Sequence, residues 1–147
     1  MEVDHVDVSI LRELLMDAQQ SHRELARKIG VSAGTIISRK RRLEENGVIK
    51  GYIAKLDYEK LGYELTVLTE VTVSQGEIIE VGEEIKKLPG AYAVYNVTGS
   101  SDVMVMGRFK TRQELSDFTK TILRIPNVVR TDTHLVLITL KEDFVQI

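Results

Sequence analysis

The chain has 147 residues, a length that allows one domain of ordinary size or two small ones. Apolar residues make up 43% of it, which favours a packed core over disorder, and the lack of cysteine excludes disulfides and thiolate metal sites. No apolar run approaches the roughly 18 residues that a membrane helix needs, and the acidic N-terminus lacks the apolar core of a signal peptide. We therefore expect a soluble cytoplasmic protein without a membrane partner.

The net charge of −2 conceals an uneven distribution along the chain. Residues 23–50 contain eight basic and three acidic residues, whereas residues 1–22 and 51–147 both carry an excess of acids. The local field, and not the sum over the chain, decides whether a surface attracts phosphate. Residues 23–50 are therefore the candidate for contact with a nucleic acid.

The first 46 residues are predicted to form three helices. The first helix covers about 7–17, where apolar residues recur at helical spacing, and either Asp4 or Asp7 caps its start. Two further helical patterns follow it within the basic region.

The second and third helices are predicted to lie one tight turn apart. The second begins at Ser21, in a Ser-His-Arg-Glu sequence typical of a capping box, and ends at Gly30. The third begins after Ser32 and ends at Gly47. Only three residues separate the two helices, which is typical of a helix-turn-helix.

Residues 48–57 alternate between apolar and polar side chains, which predicts either a strand or a short linker out of the helical region. Leu61-Gly62 marks the next turn. The predicted domains are a helix-turn-helix domain at 1–47, a strand or linker at 48–63, and a second domain at 64–147.

The second half of the chain changes from helical to strand periodicity. Strands are predicted over 65–73, 91–98, 102–109 and 128–140, and helices over 77–88 and 112–125. The order β-α-β-β-α-β is the ferredoxin-like pattern. We therefore predict an α+β protein, with a three-helix helix-turn-helix domain followed by a ferredoxin-like domain built on an antiparallel sheet.

Two stretches of the predicted strands, 103–106 and 135–138, are apolar on both faces. A four-stranded sheet with helices on one face has no internal use for two apolar sides. The surplus predicts a second subunit packed on the open face, and the alternative is an uncovered hydrophobic surface.

On a helical wheel of about 100° per residue, Ile36 and Leu43 mark the buried side of the third helix. The opposite side carries small residues, hydroxyls and guanidiniums, and no acid. Such a face fits a major groove, because hydroxyls and arginine bind base edges and phosphates, although a basic run is also common on an ordinary solvated surface. The predicted DNA-contacting residues are Ser21 and Ser32 at the helix starts, Thr35, Ser38, Arg41 and Arg42 on the outward face, and Arg39 on its flank.

The chain resembles the Lrp/AsnC family of transcription regulators, also called feast/famine proteins, over nearly its whole length. The resemblance rests on DVSILRELLMDAQQSHRELARKIGVSAGTIISRKRRLEENGVIKGYIAKLD in the first half, and on VTGSSDVMVMGRF and IPNVVRTDTHLVL in the second. The chain departs from the family pattern at Lys40, where an apolar residue is usual. We expect the ammonium group of Lys40 to reach water along the helix edge. It departs again at Ser100-Ser101, where a bulkier residue is frequent.

The resemblance implies a sequence-specific regulator that binds double-stranded DNA and forms a homodimer through its sheets, with further assembly into tetramers or octamers. It also implies a small effector, usually an amino acid, bound where the regulatory domains of neighbouring dimers meet. A dimer sets two recognition helices at a fixed separation, so we expect roughly palindromic half-sites.

The loop Gly99-Ser100-Ser101-Asp102 is the candidate effector site. An amino acid needs amide or hydroxyl donors for its carboxylate beside an anionic acceptor for its ammonium group. The glycine allows close backbone approach, the serines offer donors and the aspartate offers the acceptor, although the same residues are common in a plain hairpin turn. The resemblance adds two residues of the last strand, from the same or another subunit, to this pocket: Thr131 and Thr133.

No catalytic pattern stands out in the sequence. His5, His22 and His134 lie in three different elements without metal-ligand spacing, and no phosphate loop or nucleophile elbow is present. We therefore expect no enzymatic activity, no cofactor and no metal. The main alternative is a small-molecule-sensing domain that acts on a protein partner instead of DNA. Binding of this protein to DNA would then lack the steep salt dependence of a true DNA complex.

Overall fold

The computed structural model describes residues 2–74 and 76–142. By their internal contacts these residues divide into two compact units, one built on the residues up to Lys55 and the other on Leu56–Leu140. We call them the helical unit and the sheet unit. In the described ranges, no helix has both the length and the apolar character needed to cross a membrane.

The helical unit contains the three predicted helices: α1 at His5–Met16, α2 at His22–Ile29 and α3 at Ala33–Glu45. Each helix start is capped by a side chain, from Asp4, Ser21 and Ser32 respectively. Gly30 ends α2 with φ at 81°, a left-handed conformation that turns the chain sharply into α3. The predicted helix-turn-helix arrangement is confirmed, with α3 ending at Glu45 instead of Gly47.

One apolar cluster holds the three helices together. Ile10, Leu25, Ile36 and Leu43 are fully buried in it, and burial of each such side chain contributes about 1.5–3 kcal/mol. Because Ile36 and Leu43 face this cluster, the opposite side of α3 points away from the core of the unit. The predicted buried side of α3 is therefore confirmed.

The segment after α3 has no regular secondary structure over residues 50–57. Val48 N and Ile49 N both donate to Leu43 O, at 2.9 and 3.1 Å, and so close the C-terminal end of α3. Within the described part of this chain the segment pairs with no strand, and the predicted domain boundaries around it stay a prediction.

The sheet unit contains four strands and two helices: β1 at Leu65–Val73, α4 at Ile78–Ile85, β2 at Ala91–Asn96, β3 at Val103–Phe109, α5 at Arg112–Leu123 and β4 at Val128–Leu135. The strands form one antiparallel sheet in the order β2-β3-β1-β4. The predicted ferredoxin-like order and the α+β fold class are confirmed.

Both helices of the sheet unit cover the same face of the sheet. Alternate strand residues, among them Val71 and Val105, join Ile85 of α4 and Ile122 of α5 in one buried cluster. The intervening residues of β1 and β3 point to the opposite face, which is partly exposed in this chain. The sheet therefore has one helix-covered face and one open face.

The last strand is shorter than predicted. It ends at Leu135 instead of residue 140, and Leu137, Ile138 and Leu140 are 88%, 76% and 94% exposed. Val136 N still donates to Thr66 O at 2.9 Å. The pairing ends there because β1 begins at Leu65, the residue before Thr66, and offers no further partner. The prediction of a two-sided apolar strand over 135–138 is wrong, whereas 103–106 lies in β3 as expected.

Candidate functional site

The outward side of α3 carries short polar side chains and one exposed guanidinium. Ser38 is exposed, Thr35 is half-buried, and the side chain of Arg41 is 71% exposed. Arg41 Nε lies 3.8 Å from Glu45 Oε1, a surface pair of the kind that contributes little. Hydroxyls and a guanidinium are therefore available on this side for base edges or phosphates.

The N-termini of α2 and α3 differ in charge. At α2, Ser21 N donates to Glu24 Oε2 at 2.8 Å, and this hydrogen bond lowers the pKa of Glu24 and keeps its carboxylate ionised. At α3, Ser32 Oγ accepts from Thr35 N at 3.0 Å and the first turn contains no acid. A phosphate is therefore accommodated better at the start of α3 than at the start of α2.

Two of the predicted DNA-contacting arginines point towards α1. Arg42 Nη2 lies 2.5 Å from Asp7 Oδ2, and Arg39 Nη1 lies 3.3 Å from both Asp7 oxygens and also pairs with Asp4. The amide of Asp7 and the Arg39 guanidinium lower the pKa of Asp4 to about 2. Two acids at the start of α1 face these arginines, a feature that sequence reasoning missed because the partners lie more than 30 residues apart. The expectation of an outward face without acids is wrong, because Glu45 of α3 lies on that side and pairs with Arg41. DNA contact by Arg39 and Arg42 stays a prediction.

Lys40 packs on the segment that follows α3. Its Nζ lies 4.8 Å from the centroid of the Tyr52 ring, and the Tyr52 hydroxyl donates to Glu44 Oε1 at 2.8 Å. Burial and the Glu44 carboxylate together raise the pKa of Tyr52 to about 12. Lys40 thus covers an aromatic ring with its cation, and this contact explains how a lysine occupies that position of the helix.

One exposed apolar residue of α3 was also missed by the sequence analysis. Ile37 is 49% exposed and follows the buried Ile36, about 100° away on the wheel. An apolar side chain at this place suits the methyl group of thymine in a major groove. The position of Ile37 on the helical wheel, about 100° from the buried Ile36, could have predicted its exposure.

The predicted effector loop connects β2 to β3 and is tied to β1. Gly99 has φ at 126° and is exposed together with Ser100, whereas Ser101 is only 8% exposed. Asp102 Oδ2 accepts from Val73 N at 2.8 Å, where the ladder between β1 and β4 is interrupted by a bulge. One oxygen of Asp102 therefore anchors the loop to β1, and a role of Asp102 in effector binding stays a prediction.

The two predicted threonines lie on β4, on the other side of β1. Thr131 is opposite Val71, whose carbonyl accepts from Asp102 N, and Thr133 Oγ1 lies 3.1 Å from Thr69 Oγ1. Thr131 and the loop are thus about two strand spacings, or roughly 10 Å, apart at one end of the sheet. Within one protomer β1 lies between the loop and the two threonines, and their grouping into one pocket stays a prediction.

The sheet unit has two cavities, and the first reaches Asn96 and Val103 at the two ends of this loop. One, of about 370 Å³, is lined by residues of α4 and β2, and the other, of about 460 Å³, is lined by residues around Gly90, Lys110 and Phe118. Neither is lined by any predicted effector residue. Within residues 2–74 and 76–142, no group of three or more histidine, aspartate and glutamate side chains is arranged to hold a metal ion.

Comparison with known protein families assigns both units. Residues 3–50 match a family model for winged helix-turn-helix DNA binding, and residues 66–146 match the model of the Lrp/AsnC ligand-binding domain. The chain belongs to the Lrp/AsnC family of transcriptional regulators.

Relatives of this Lrp/AsnC regulator match it over almost their full lengths. A protein of Pyrococcus furiosus described as an uncharacterised HTH-type transcriptional regulator is 41% identical, with 98% of this chain and 97% of that one covered. The solved structure of LrpC from B. subtilis is 30% identical, covers 96% and 99% of the two chains and has a TM-score of 0.84. A feast or famine regulatory protein from M. tuberculosis, complexed with L-methionine, is 29% identical, covers 97% of each chain and has a TM-score of 0.89.

Proposed function

We propose that this Lrp/AsnC regulator binds double-stranded DNA with α3 in the major groove, and that an amino acid bound by the sheet unit changes this binding. The observation that carries the proposal is the outward side of α3. It combines hydroxyls with the exposed guanidinium of Arg41, while its first turn has no acid to repel phosphate. The helix is held in place from its opposite side by Ile36 and Leu43.

The residues of this surface have different roles. Thr35 and Ser38 meet base edges or nearby phosphates, and Arg41 binds a guanine or a phosphate. The amides at the start of α3, beside Ser32, bind a phosphate. The start of α2 at Ser21 is a weaker second phosphate site because the Glu24 carboxylate lies on it.

A homodimer formed through the open face of the sheet places two copies of α3 at a fixed separation. The open face carries Leu68, Met104 and Met106, which are half-buried in the single chain, and Tyr95, which is 51% exposed. Burying these side chains against a second copy removes apolar surface from water. Association of dimers into tetramers or octamers then brings loops of neighbouring copies together.

The effector site consists of the loop from Gly99 to Asp102, with Thr131 and Thr133 beside it. The L-methionine held by the M. tuberculosis relative supports an amino acid as the ligand class. Asp102 Oδ1 takes the ammonium group, and the exposed backbone of Gly99 and Ser100 meets the carboxylate. A ligand that binds one assembly more tightly than another shifts the population of assemblies, and with it the affinity for DNA.

The DNA part of the proposal is tested by selection of bound duplexes from random DNA, followed by titration at several salt concentrations. Wild-type binding must weaken steeply with salt. Arg41→Ala is expected either to lower the salt slope by about 0.9, for a phosphate contact, or to relax preference at one base position. Arg124→Ala, an exposed arginine of the sheet unit, is the matched control. Unchanged affinity and preference in Arg41→Ala contradicts the assigned surface.

The effector part is tested by calorimetry against each of the standard amino acids. Asp102→Asn keeps an oxygen for Val73 N but removes the charge, so we expect the loop to stay ordered and effector affinity to fall. Asp117→Asn, an exposed change on α5, leaves effector affinity unchanged. Binding of no amino acid by the wild type refutes this part and leaves the DNA part standing.

A further inference from the structure

Four charged side chains connect the start of α1 to α3, and we call them the Asp–Arg cluster: Asp4, Asp7, Arg39 and Arg42. Arg42 pairs with Asp7 alone, whereas Arg39 Nη1 reaches both aspartates. Two cations and two anions make the cluster neutral. Two of the three arginines on this helix are therefore paired with carboxylates of another part of the chain in the free protein, and the third, Arg41, has only the surface pair with Glu45.

The two pairs of the cluster differ in exposure. Asp7 has no exposed side-chain surface, and Arg42 Nε is buried without a hydrogen-bond partner among the described residues. The side chains of Asp4 and Arg39 are 41% and 28% exposed. An exposed pair is weak, whereas a pair with a buried member is costly to break.

Departure of Arg39 from Asp4 leaves no buried charge uncompensated, because Asp7 still holds Arg42. It also leaves the α1 cap intact, since Asp4 Oδ1 accepts from Val6 N at 2.9 Å and from Asp7 N at 3.0 Å. Asp4 Oδ2 and Asp7 Oδ1 then lose the Arg39 guanidinium, while Asp7 keeps Arg42 on its Oδ2. The Arg39–Asp4 contact is therefore the one that can be exchanged.

We propose that Asp4 occupies, in the free protein, the position that a DNA phosphate takes on Arg39 in the complex, while the Asp7–Arg42 pair stays intact and positions α3 against α1. A carboxylate and a phosphate present the same planar guanidinium with two acceptor oxygens, so one replaces the other without a change of geometry. Duplex DNA carries a high density of such charges. The inference rests on α3 being the helix that contacts DNA.

Two consequences follow for the roles of these residues. Asp4 competes with DNA and lowers the affinity of the regulator. Asp7 and Arg42 are positioning residues, which act on DNA binding through the orientation of α3.

The experiment uses the full-length protein and a fluorescent duplex that the wild type selects from random DNA. The variants are Asp4→Asn, Arg39→Gln and the double variant. Asparagine caps a helix about as well as aspartate, so Asp4→Asn removes the charge and keeps the cap. Glu2→Gln removes an exposed charge two residues away and serves as the matched control.

Asp4→Asn is expected to bind DNA about 2- to 5-fold more tightly than wild type, the range that corresponds to loss of an exposed ion pair. Arg39→Gln lowers the salt slope by about 0.9, because one phosphate contact is lost. In the Arg39→Gln background, the change at Asp4 brings no further gain. The proposed exchange is wrong if Asp4→Asn still strengthens DNA binding in the Arg39→Gln background, or if Glu2→Gln strengthens it equally. It is also wrong if Arg39→Gln leaves the salt slope unchanged.

Arg42 is tested separately with Arg42→Gln and Arg42→Lys. We expect Arg42→Gln to lose hydrogen-exchange protection in α3 without changing the salt slope, and Arg42→Lys, which keeps a cation for Asp7, to recover part of that protection. If Arg42→Gln lowers the salt slope of DNA binding by about one unit and leaves hydrogen-exchange protection in α3 unchanged, Arg42 contacts a phosphate and the positioning role is wrong. If Arg41→Ala weakens binding and Asp4→Asn does not strengthen it, this inference fails and the proposed function stands; if Arg41→Ala has no effect, both fail.

Discussion

The two units of this regulator are held together by different interactions. The sheet unit has a cluster of nine buried apolar residues, and its buried polar side chains, Thr69 and Ser101, are uncharged. The helical unit has six, and beside them a carboxylate with no exposed surface that pairs with two arginines of α3. The unit that contacts an anionic ligand thus uses some of its cations for its own structure, and its charge count overstates the charge offered to DNA.

The largest expected effect breaks the apolar packing of the sheet unit. A Cβ atom at Gly90, where φ is 91°, would lie 2.3 Å from the Phe109 ring, which packs on Phe118 at a centroid distance of 4.8 Å. We expect Gly90→Ala to cost about 2–5 kcal/mol, seen as a lower melting temperature and lost exchange protection in the sheet. Gly62→Ala has a similar φ, 87°, without the clash. Equal losses in the two variants refute the packing argument.

The second effect breaks the ion pairs of the helical unit. Asp7→Asn leaves Arg42 without a counter-charge, and because Arg42 is partly exposed we expect a loss of about 1–3 kcal/mol. Hydrogen exchange should locate the loss in α1 and α3 and spare the sheet unit. Asp17→Asn, exposed at the other end of α1, is the control, and a loss of similar size there contradicts a specific role for Asp7.

A smaller effect separates stability from DNA contact within the helical unit. Ser21→Ala removes the cap of α2, which typically costs about 1 kcal/mol. Ser38→Ala removes an exposed hydroxyl from α3 and should lower DNA affinity without lowering stability. Thermal unfolding and DNA titration of both variants test this contrast. If Ser38→Ala lowers the melting temperature and leaves DNA affinity unchanged, Ser38 stabilises the fold and does not contact DNA.

The smallest effect is the pH dependence that Asp4 of the helical unit contributes. The pKa of Asp4 is about 2 in the folded protein against an ordinary 3.8, so its contribution to stability is present above pH 3.8 and is lost as the pH falls through about 2. Melting temperatures across this range should fall less in Asp4→Asn than in wild type. Identical acid profiles would show that ionisation of Asp4, which the amide of Asp7 and the Arg39 guanidinium favour, has no effect on stability.

Local signals account for the elements that were predicted correctly. Ser21 and Glu24 form the expected capping box, and Gly30 takes the expected left-handed turn, because these interactions span only a few residues. The buried side of α3 was predictable from its periodicity alone. The end of β4 at Leu135 was not, because it depends on where the neighbouring strand begins.

The amino-acid sequence by itself determined the order of helices and strands, the capping box of α2 and the family, since each depends on residues close together in the chain or on a motif read in order. Only the tertiary structure decided which charges on α3 remain available. Arg39 and Arg42 meet carboxylates 32 to 35 residues earlier in the chain, and Asp102 meets the amide of Val73 across a strand. Such pairings arise when separate elements pack together, because an ion pair or a hydrogen bond depends on distance in space and not on distance along the chain.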